Sequence, residues 1–311
     1  MKKNLTNFLI MKINFLKRNC LICGNSNKLK LEIYPDIDPK FDEKIIKFYW
    51  AGFYKENVFF PYYRCNCGFL LNKFFPDESS LKKLYSNQND NVIYGDVKLD
   101  LKTKLYYLNQ LKEFLPDLNK DYKILEIGAD NGSFIKLLGR TFKNANFYSI
   151  EPNINMQKNL KKLTKKNFIS LHQIKKNIKF DLIIGIHTFD HIPRLSEYFL
   201  KLNNHLKVSG LIFGVVHDEN SYLAKIFKKK WPIFRLQHPH LFNHHSINSF
   251  FNKFNLEKIF IKKTKNFFNV GFLINQFFLS IFKIKINFPK LFSLGIKLGN
   301  FSFLYKKNNQ L

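Results

Sequence analysis

The stretch KILEIGADNGSFIKLL, residues 123–138, constrains this chain more than any other feature of its sequence. A short apolar run leads through Glu126 to Gly128 and Gly132, and apolar residues at helical spacing follow. A strand that turns through glycines into a helix is typical of an open α/β sheet, where ligands bind beyond the carboxyl ends of the strands. The stretch therefore predicts a site for a nucleotide-like ligand.

Strand and helix patterns alternate on both sides of this turn. The predicted strands are 123–127, 146–150, 168–171, 180–184 and 210–216, and the helical patterns between them are 133–138, 155–166 and 195–206. A helix at 246–254 and strands at 256–261 and 301–305 are predicted near the C-terminus. This alternation indicates a parallel sheet covered by helices on both faces.

The residues of the turn narrow the class of ligand. The dinucleotide-binding fingerprint G-x-G-x-x-G uses its glycines to bring the backbone close to a pyrophosphate. Here Asp130 occupies the middle position between Gly128 and Gly132. Because a carboxylate repels a pyrophosphate, we expect a ligand that is cationic or neutral at this point.

Three segments in this order resemble class I S-adenosylmethionine-dependent methyltransferases. ILEIGADNGSF is similar to the family's first motif, E/D-x-G-x-G-x-G, and FYSIEPN places Glu151 where the family has its ribose-binding acid. The segment FDLIIGIHTFDHIPRLSEYFLKLNNHLKVSGLIFGVV resembles a later block of the family. The resemblance implies an α/β fold with a doubly wound, Rossmann-like, seven-stranded and mostly parallel sheet, preceded by a small Cys-rich module.

The resemblance also implies S-adenosylmethionine as the cofactor. Glu126 and Asp130 would place negative charge near its ammonium and sulfonium groups, and Glu151 would accept hydrogen bonds from its ribose. The implied cofactor-binding residues are Glu126, Gly128, Asp130, Gly132, Glu151 and His187. The chain departs from the family pattern at Asp130, at Asp190 in place of a glutamate, and at Ser209 in place of a proline.

The candidate catalytic residues, His187, Asp190 and His191, follow the strand at 180–184. His187 either accepts a proton from the methyl acceptor or only lines the cofactor pocket. Asp190 and His191 either take part in the chemistry or cap and pack the next helix, and the three residues together are also a candidate site for a divalent metal. Tyr85 and Tyr94 are candidates for the acceptor pocket. The histidine-rich tract LQHPHLFNHHS, residues 236–246, either forms a lid on the substrate side or packs structurally.

All four cysteines lie near the N-terminus, in the pairs Cys20/Cys23 and Cys65/Cys67. Two close pairs of thiolates, each followed by a glycine, are typical of a zinc knuckle pair. The second pair is Cys-x-Cys, one residue shorter than the usual Cys-x-x-Cys. The sequence therefore predicts a structural Zn²⁺ site, with reduced buried thiols or disulfides as the alternatives.

The formal net charge of +28 suggests nucleic acid or an anionic membrane as a partner. The chain has 46 lysines but only 5 arginines, and arginine is the residue that base recognition and phosphate clamps favour. The scarcity of arginine therefore counts against nucleic acid. The resemblance to methyltransferases with an N-terminal cysteine module, several of which act on nucleotide-linked sugars, implies a small-molecule methyl acceptor, first a sugar or nucleotide-sugar and second a quinone or polyketide-like phenol. The alternative is a nucleic-acid-binding protein on a catalytically inactive methyltransferase-like fold.

The patterns divide the chain into four segments. We expect a poorly ordered lead-in at 1–19, a Cys-rich connecting module at 20–98, the methyltransferase domain at 99–265, and a C-terminal extension at 266–311 that completes the sheet. The apolar stretch 266–282 is shorter than the roughly 20 residues that a spanning helix needs, so it predicts a buried or interfacial helix. No secretion signal is recognised, and a cytoplasmic location is expected.

Overall fold

The computed structural model describes residues 12–39, 42–50, 54–86 and 96–308. Residues 1–11 of the expected lead-in and Tyr94 lie outside these ranges. The first elements of the chain are β1 (Phe15–Lys17), β2 (Leu29–Ile33), α1 (Glu43–Tyr49), β3 (Tyr62–Cys65), β4 (Leu70–Asn72), β5 (Phe74–Pro76) and α2 (Glu78–Ser86).

The middle of the chain alternates between strands and helices. Its elements are α3 (Val97–Lys112), β6 (Lys123–Ile127), α4 (Ser133–Thr141), β7 (Asn146–Ile150), α5 (Gln157–Leu163), β8 (Lys166–Phe168), β9 (Phe180–Ile186), α6 (Leu195–Asn203) and β10 (Leu206–His217). The remaining elements are α7 (Tyr222–Phe227), β11 (His240–Leu241), α8 (His244–Asn252), β12 (Leu256–Lys263), β13 (Asn266–Asn269), α9 (Val270–Phe282), β14 (Ser293–Ile296) and β15 (Asn300–Lys307).

Seven strands form the central sheet in the order β12-β15-β10-β9-β6-β7-β8. Every strand runs parallel to the others except β15, which is antiparallel to both β10 and β12. The order reverses at β6, which pairs with β7 on one side and β9 on the other. The carboxyl end of β6 is therefore the switch point at which an open α/β sheet binds its ligand.

Helices cover both faces of this sheet. Successive side chains of a strand point to opposite faces, and β9 shows this because Ile183 belongs to one core cluster while Leu182 and Ile184 belong to the other. The first cluster includes buried residues of α6 and α8, and the second includes buried residues of α3, α4 and α5. The sheet is thus doubly wound, as the sequence indicates.

The Cys-rich module forms a second, four-stranded sheet in the order β11-β4-β3-β2. One edge strand of this sheet, β11, comes from the histidine-rich tract, so the module is not built from residues 20–98 alone. Residues 12–19 are not a poorly ordered lead-in, because β1 pairs with β5 and Arg18 is buried. The packing of these residues depends on distant parts of the chain, which a local pattern does not reveal.

Each strand of the central sheet overlaps a strand that the sequence predicts, although several bounds differ. The predicted strands at 123–127 and 146–150 coincide with β6 and β7. The strand predicted at 168–171 instead ends at Phe168, because the side chain of Gln173 accepts a hydrogen bond from Ile169 N at 2.7 Å and the chain turns away. The helix predicted at 155–166 ends at Leu163, because Lys165 N donates to Phe147 O of β7.

Candidate functional site

The turn between β6 and α4 is built at the switch point of the sheet. Gly128 N–H donates to Ile150 O at 2.8 Å, which joins the turn to the end of β7. Gly128, Asp130 and Gly132 all have positive φ, of 68°, 48° and 77°. Two glycines and an aspartate are among the residues that adopt this conformation most readily. The sequence therefore favours this turn locally.

The two glycines are also required by packing. A Cβ at Gly128 would lie 2.6 Å from Oγ1 of Thr188, which itself donates to Ile127 O at 2.9 Å. A Cβ at Gly132 would lie 2.7 Å from Leu163 Cδ1 on α5. At Gly128 this contact excludes a side chain, and the expected role of Gly128 in cofactor binding stays a prediction.

Glu126 is an unpaired carboxyl group at the end of β6. The residue is 4% exposed, and within the described part of the chain its Oε2 has no hydrogen-bond partner. Burial raises the pKa of Glu126 to about 8, although the charge of Lys104 opposes this shift. A buried carboxyl group without a partner is costly, so a ligand with a positive charge or a hydrogen-bond donor fits this position.

Glu151 and Asp130 join the ends of β6 and β7. Glu151 Oε2 accepts a hydrogen bond from Asp130 N at 2.8 Å, and its Oε1 accepts one from Asn153 N at 2.9 Å. Burial nevertheless raises the pKa of Glu151. Each carboxylate oxygen can accept a second hydrogen bond. Glu151 therefore holds the turn in place and still has lone pairs to offer a ligand.

Lys104 is a residue of this region that the sequence reasoning missed. It lies on α3, and its Nζ donates to Asp100 Oδ2 at 2.8 Å and to Ser133 Oγ at the start of α4. Its charge acts on Glu126 and on His187. The sequence of α3 does not show which of its lysines faces the glycine turn.

His187 and Asp190 lie beyond the end of β9, beside His217 at the end of β10. His217 Nδ1–H donates to Asp190 Oδ2 at 2.6 Å, and the rings of His187 and His217 lie 4.6 Å apart. Asp190 is fully buried. Among the described residues, Asp190 Oδ1 and His187 Nδ1 have no hydrogen-bond partner. His217 was not identified from the sequence because a single histidine at a strand end carries no pattern.

His191 and His238 complete this buried cluster. Their rings lie 4.5 Å apart, and the ring of His238 lies 4.8 Å from that of His217. Tyr85 Oη lies 3.3 Å from His191 Nδ1, so the candidate Tyr85 does reach the cluster. His238 Nδ1–H donates to Ile233 O at 2.6 Å. The histidine-rich tract is divided, because His244 and His245 are exposed.

The ligand atoms in this cluster form two overlapping sets, His187/Asp190/His217 and Asp190/His191/His238, each within 4.8 Å. The metal set considered from the sequence, His187, Asp190 and His191, is not one of them. Both sets contain Asp190, which lies at the centre of the cluster.

Burial controls the charges of these groups. It lowers the pKa of His187 to about 3, with a contribution from His217, and it lowers the pKa of His191 to about 4. The pKa of His238 is also well below its usual value because of burial. Burial alone would raise the pKa of Asp190, but the facing His217 holds it well below its usual range. At neutral pH Asp190 is therefore a carboxylate, and His187, His191 and His238 are uncharged imidazoles.

Arg18 connects the segment after β9 to β4 and to the histidine-rich tract. Its guanidinium donates to Pro193 O at 2.9 Å and to Asn72 O at 3.1 Å, and Nη2 lies 3.0 Å from His240 Nδ1. His240 Nε2 in turn lies 3.0 Å from Phe189 O. Burial lowers the pKa of Arg18 to about 9. Both ring nitrogens of His240 are thus used, and the residue positions the tract rather than facing a ligand.

The four cysteines meet as the sequence predicts. The sulfur atoms of Cys20 and Cys67 lie 3.4 Å apart, as do those of Cys23 and Cys65, and all four lie within 4.8 Å of one another. These separations exceed a disulfide bond of about 2.0 Å and are close to the roughly 3.8 Å between sulfurs in a Zn²⁺ tetrahedron with Zn–S of about 2.3 Å. The donor set fits a structural zinc ion.

Comparison with known proteins gives one match to a family model. The model of the Methyltransferase domain matches residues 101–259, about half of the chain. A malonyl-[acyl-carrier protein] O-methyltransferase from Ilyobacter polytropus is 31% identical over 120 residues, which is 37% of this chain and 46% of that relative. The matched segment spans less than half of the relative's length.

Two solved structures are similar in outline. The magnesium protoporphyrin IX methyltransferase of Synechocystis is 12% identical, with a TM-score of 0.49, and the match covers 75% of this chain and 100% of that one. An S-adenosylmethionine-dependent methyltransferase of Clostridium acetobutylicum is 13% identical, with a TM-score of 0.46 and coverages of 74% and 99%. Because both TM-scores are below 0.5, the assignment of the fold rests on the strand order described above.

Proposed function

Because the chain belongs to the Methyltransferase domain family, we propose that it transfers a methyl group from S-adenosylmethionine to a small-molecule acceptor. The observation that carries the proposal is the unpaired, buried Glu126 beside the glycine turn at the switch point of the sheet. When bound, the cofactor supplies a methyl carbon on a sulfonium, which an acceptor attacks in line. The chain's own residues bind the cofactor, orient it and hold protons.

The cofactor would lie across the ends of β6 and β7. Glu126 would bind the ammonium group, which gives the buried carboxylate the positive partner that it lacks. Glu151 would accept hydrogen bonds from the ribose with its remaining lone pairs, while it continues to hold Asp130 N. Gly128 and Gly132 shape the turn. Lys104, which lies near both Glu126 and His187, is suited to the cofactor carboxylate.

The histidine cluster would face the acceptor. His187 and His191 are uncharged at neutral pH, so each can offer a ring nitrogen to an acceptor hydroxyl. Their pKa values of about 3 and 4 make them weak bases in the free protein, and either would act as a general base only with the acceptor bound and Asp190 stabilising the protonated ring. Asp190 would stabilise the resulting imidazolium, and its hydrogen bond to His217 fixes its orientation. His187 can instead act only as a wall of the pocket.

The imidazole nitrogens of this cluster favour an acceptor that carries hydroxyl groups, and we favour a sugar or nucleotide-sugar, with a phenol or quinone as the second class. Labelled-methyl transfer assays on nucleotide-sugars, phenols and amines test this assignment. Transfer to amines alone would contradict it, because an amine nucleophile does not need these bases.

The cysteine cluster would hold a structural zinc ion. Cys20, Cys23, Cys65 and Cys67 would provide all four ligands, which leaves no open position for a substrate and matches a closed structural site. Cys20 and Cys65 belong to the same core cluster as residues of α6 and α8. The ion would therefore stabilise the packing of the module against the central sheet.

The raised pKa of Glu126 predicts that cofactor binding depends on pH. The free protein holds a proton on Glu126 below its pKa of about 8, whereas a bound ammonium group favours the carboxylate. Binding at pH 7 should therefore release close to one proton. The affinity for S-adenosylmethionine should rise by up to about tenfold per pH unit between pH 6 and 8 and then level off. Calorimetry in buffers of different ionisation enthalpy measures the released proton.

The matched variants are Glu126→Gln and Glu219→Gln. Glu219 is also a buried carboxyl group with a raised pKa due to burial, but it pairs with Arg64 outside the glycine turn. Proton release should disappear in Glu126→Gln and persist in Glu219→Gln. If Glu126→Gln binds the cofactor with wild-type affinity and wild-type proton release, Glu126 does not contact the ligand.

A further inference from the structure

Residues 266–296 form an apolar hairpin near the C-terminus, in which β13 and β14 pair and α9 lies between them. The sequence of α9, VGFLINQFFLSIF, has no charged residue. A helix that is apolar on all sides is normally buried in a core or in a membrane. In α9 only Gly271 is buried. The apolar side chains of α9 are therefore left partly or fully exposed, which is unusual for a helix of this composition.

Polar side chains of the apolar hairpin are used to hold it together. Asn269 Nδ2 donates to Leu291 O at 2.7 Å, and its Oδ1 accepts a hydrogen bond from Leu291 N at 3.1 Å. Asn275 Oδ1 accepts one from Phe288 N at 2.8 Å. A Cβ at Gly271 would overlap Pro289 O, at 1.9 Å, so helix and return segment are tightly apposed there. These contacts fix the position of the return segment against α9.

The outer surface of the apolar hairpin is unusually hydrophobic. Seven of the twenty most exposed large apolar side chains of the described residues lie in it: Phe277, Phe282, Ile284, Phe288, Leu291, Phe292 and Leu294. Phe292 is 66% exposed and Phe282 is 54% exposed. The neighbouring α7 adjoins the patch, because the ring of Phe227 contacts that of Phe277. Contiguous exposed apolar surface of this kind marks an interaction site.

The charged residues of the apolar hairpin and of the sequence after it are all lysines. From residue 258 to the C-terminus the sequence has no aspartate or glutamate, but it has ten lysines. Lys285 and Lys290 are exposed on the return segment of the hairpin. Asp36, an acid from another part of the fold, already pairs with Lys229 and lies 3.7 Å from Lys283. The patch is therefore apolar at its centre and cationic around it.

We propose that the apolar hairpin docks this protein onto the surface of an anionic membrane. Its aromatic and aliphatic side chains would enter the boundary between headgroups and acyl chains, and its lysines would contact anionic headgroups. A second copy of the chain is a poorer occupant because it would bring lysines against lysines. None of the described helices has the length and apolar character that a membrane span requires.

The test is cosedimentation of the full chain with vesicles of phosphatidylcholine alone or with 30% phosphatidylglycerol, roughly the anionic range of membranes that attract basic segments. Wild-type protein should bind the anionic vesicles and lose binding as salt increases. Phe282→Ser/Phe292→Ser should weaken binding at least about tenfold, because two exposed rings no longer enter the interface. Phe48→Ser is the apolar control, since Phe48 is 65% exposed on α1, outside the apolar hairpin.

A second pair of variants separates local charge from net charge. Lys285→Glu/Lys290→Glu should weaken binding strongly, whereas Lys143→Glu/Lys201→Glu, which changes the net charge equally at exposed sites elsewhere, should weaken it much less. Thermal unfolding confirms that each variant is folded. Equal losses of vesicle binding in the two double lysine variants would overturn the proposal. The proposal would also be overturned if the wild-type protein did not bind anionic vesicles and instead formed dimers, and if the Phe282→Ser/Phe292→Ser variant were monomeric.

Discussion

Replacing Cys65 by serine is expected to release a zinc ion and to destabilise the folded protein by about 4 kcal/mol or more. Loss of a bound metal is one of the few single changes with so large an effect. Cys65 is 1% exposed, and its sulfur lies 3.4 Å from that of Cys23. Elemental analysis of the purified wild-type protein should find close to one zinc per chain, and thermal unfolding measures the loss in the variant.

Two comparisons make this result specific. A strong chelator should destabilise the wild-type protein but leave Cys65→Ser nearly unchanged, because the variant has already lost its metal. Ser26→Ala changes a neighbouring residue in the first cysteine loop, whose hydroxyl donates to Asn27 Oδ1, and this variant should keep the zinc. Freshly reduced wild-type protein without zinc, together with a Cys65→Ser variant of normal stability, would show that the cysteines are simply reduced thiols.

Replacing Glu151 by alanine is expected to weaken S-adenosylmethionine binding about ten- to a hundredfold. A hydrogen bond to a charged group contributes roughly 1.5–3 kcal/mol, and tenfold in affinity is about 1.4 kcal/mol. The variant would lose the proposed contact to the ribose. It would also leave Asp130 N and Asn153 N without the acceptor that shapes the turn. Calorimetry gives the dissociation constant directly.

Asp181→Ala is the matched control for this change. Asp181 also accepts a hydrogen bond from a backbone N–H, that of Lys123 at 2.8 Å, but it lies at the amino ends of β6 and β9. This variant should lose stability and keep its cofactor affinity. If Glu151→Ala and Asp181→Ala reduce affinity equally, the effect of Glu151 is on folding and not on the ligand.

The parts of the fold that depend on local patterns could be predicted from the sequence. The sheet strands β6 and β7 and the turn after β6 follow from apolar runs, glycines and the acids beside them, all within a few residues. The cysteine cluster was also predictable because zinc ligands occur as close pairs in the sequence. The positions of Glu126 and Glu151 beside this turn could also be predicted, because Glu126 is the next-to-last residue of one predicted strand and Glu151 directly follows another.

The histidine cluster depended on contacts that no local pattern reveals. His238 meets His191 and His217 only because β11 joins the sheet of the Cys-rich module and carries the tract over the end of β9. Arg18 fixes this arrangement from a segment expected to be poorly ordered. The sequence shows that these residues exist, but their convergence follows from tertiary packing.

Titration of the wild-type protein with S-adenosylmethionine, and separately with NAD, by calorimetry tests the central claim most directly. The geometry of the turn, with Asp130 and the unpaired Glu126, favours a cationic ligand and disfavours a pyrophosphate. We predict saturable binding of S-adenosylmethionine or its demethylated product and no binding of NAD. If neither adenosyl ligand binds at concentrations of about 1 mM, equivalent to roughly −4 kcal/mol, or if NAD binds instead, the account is wrong.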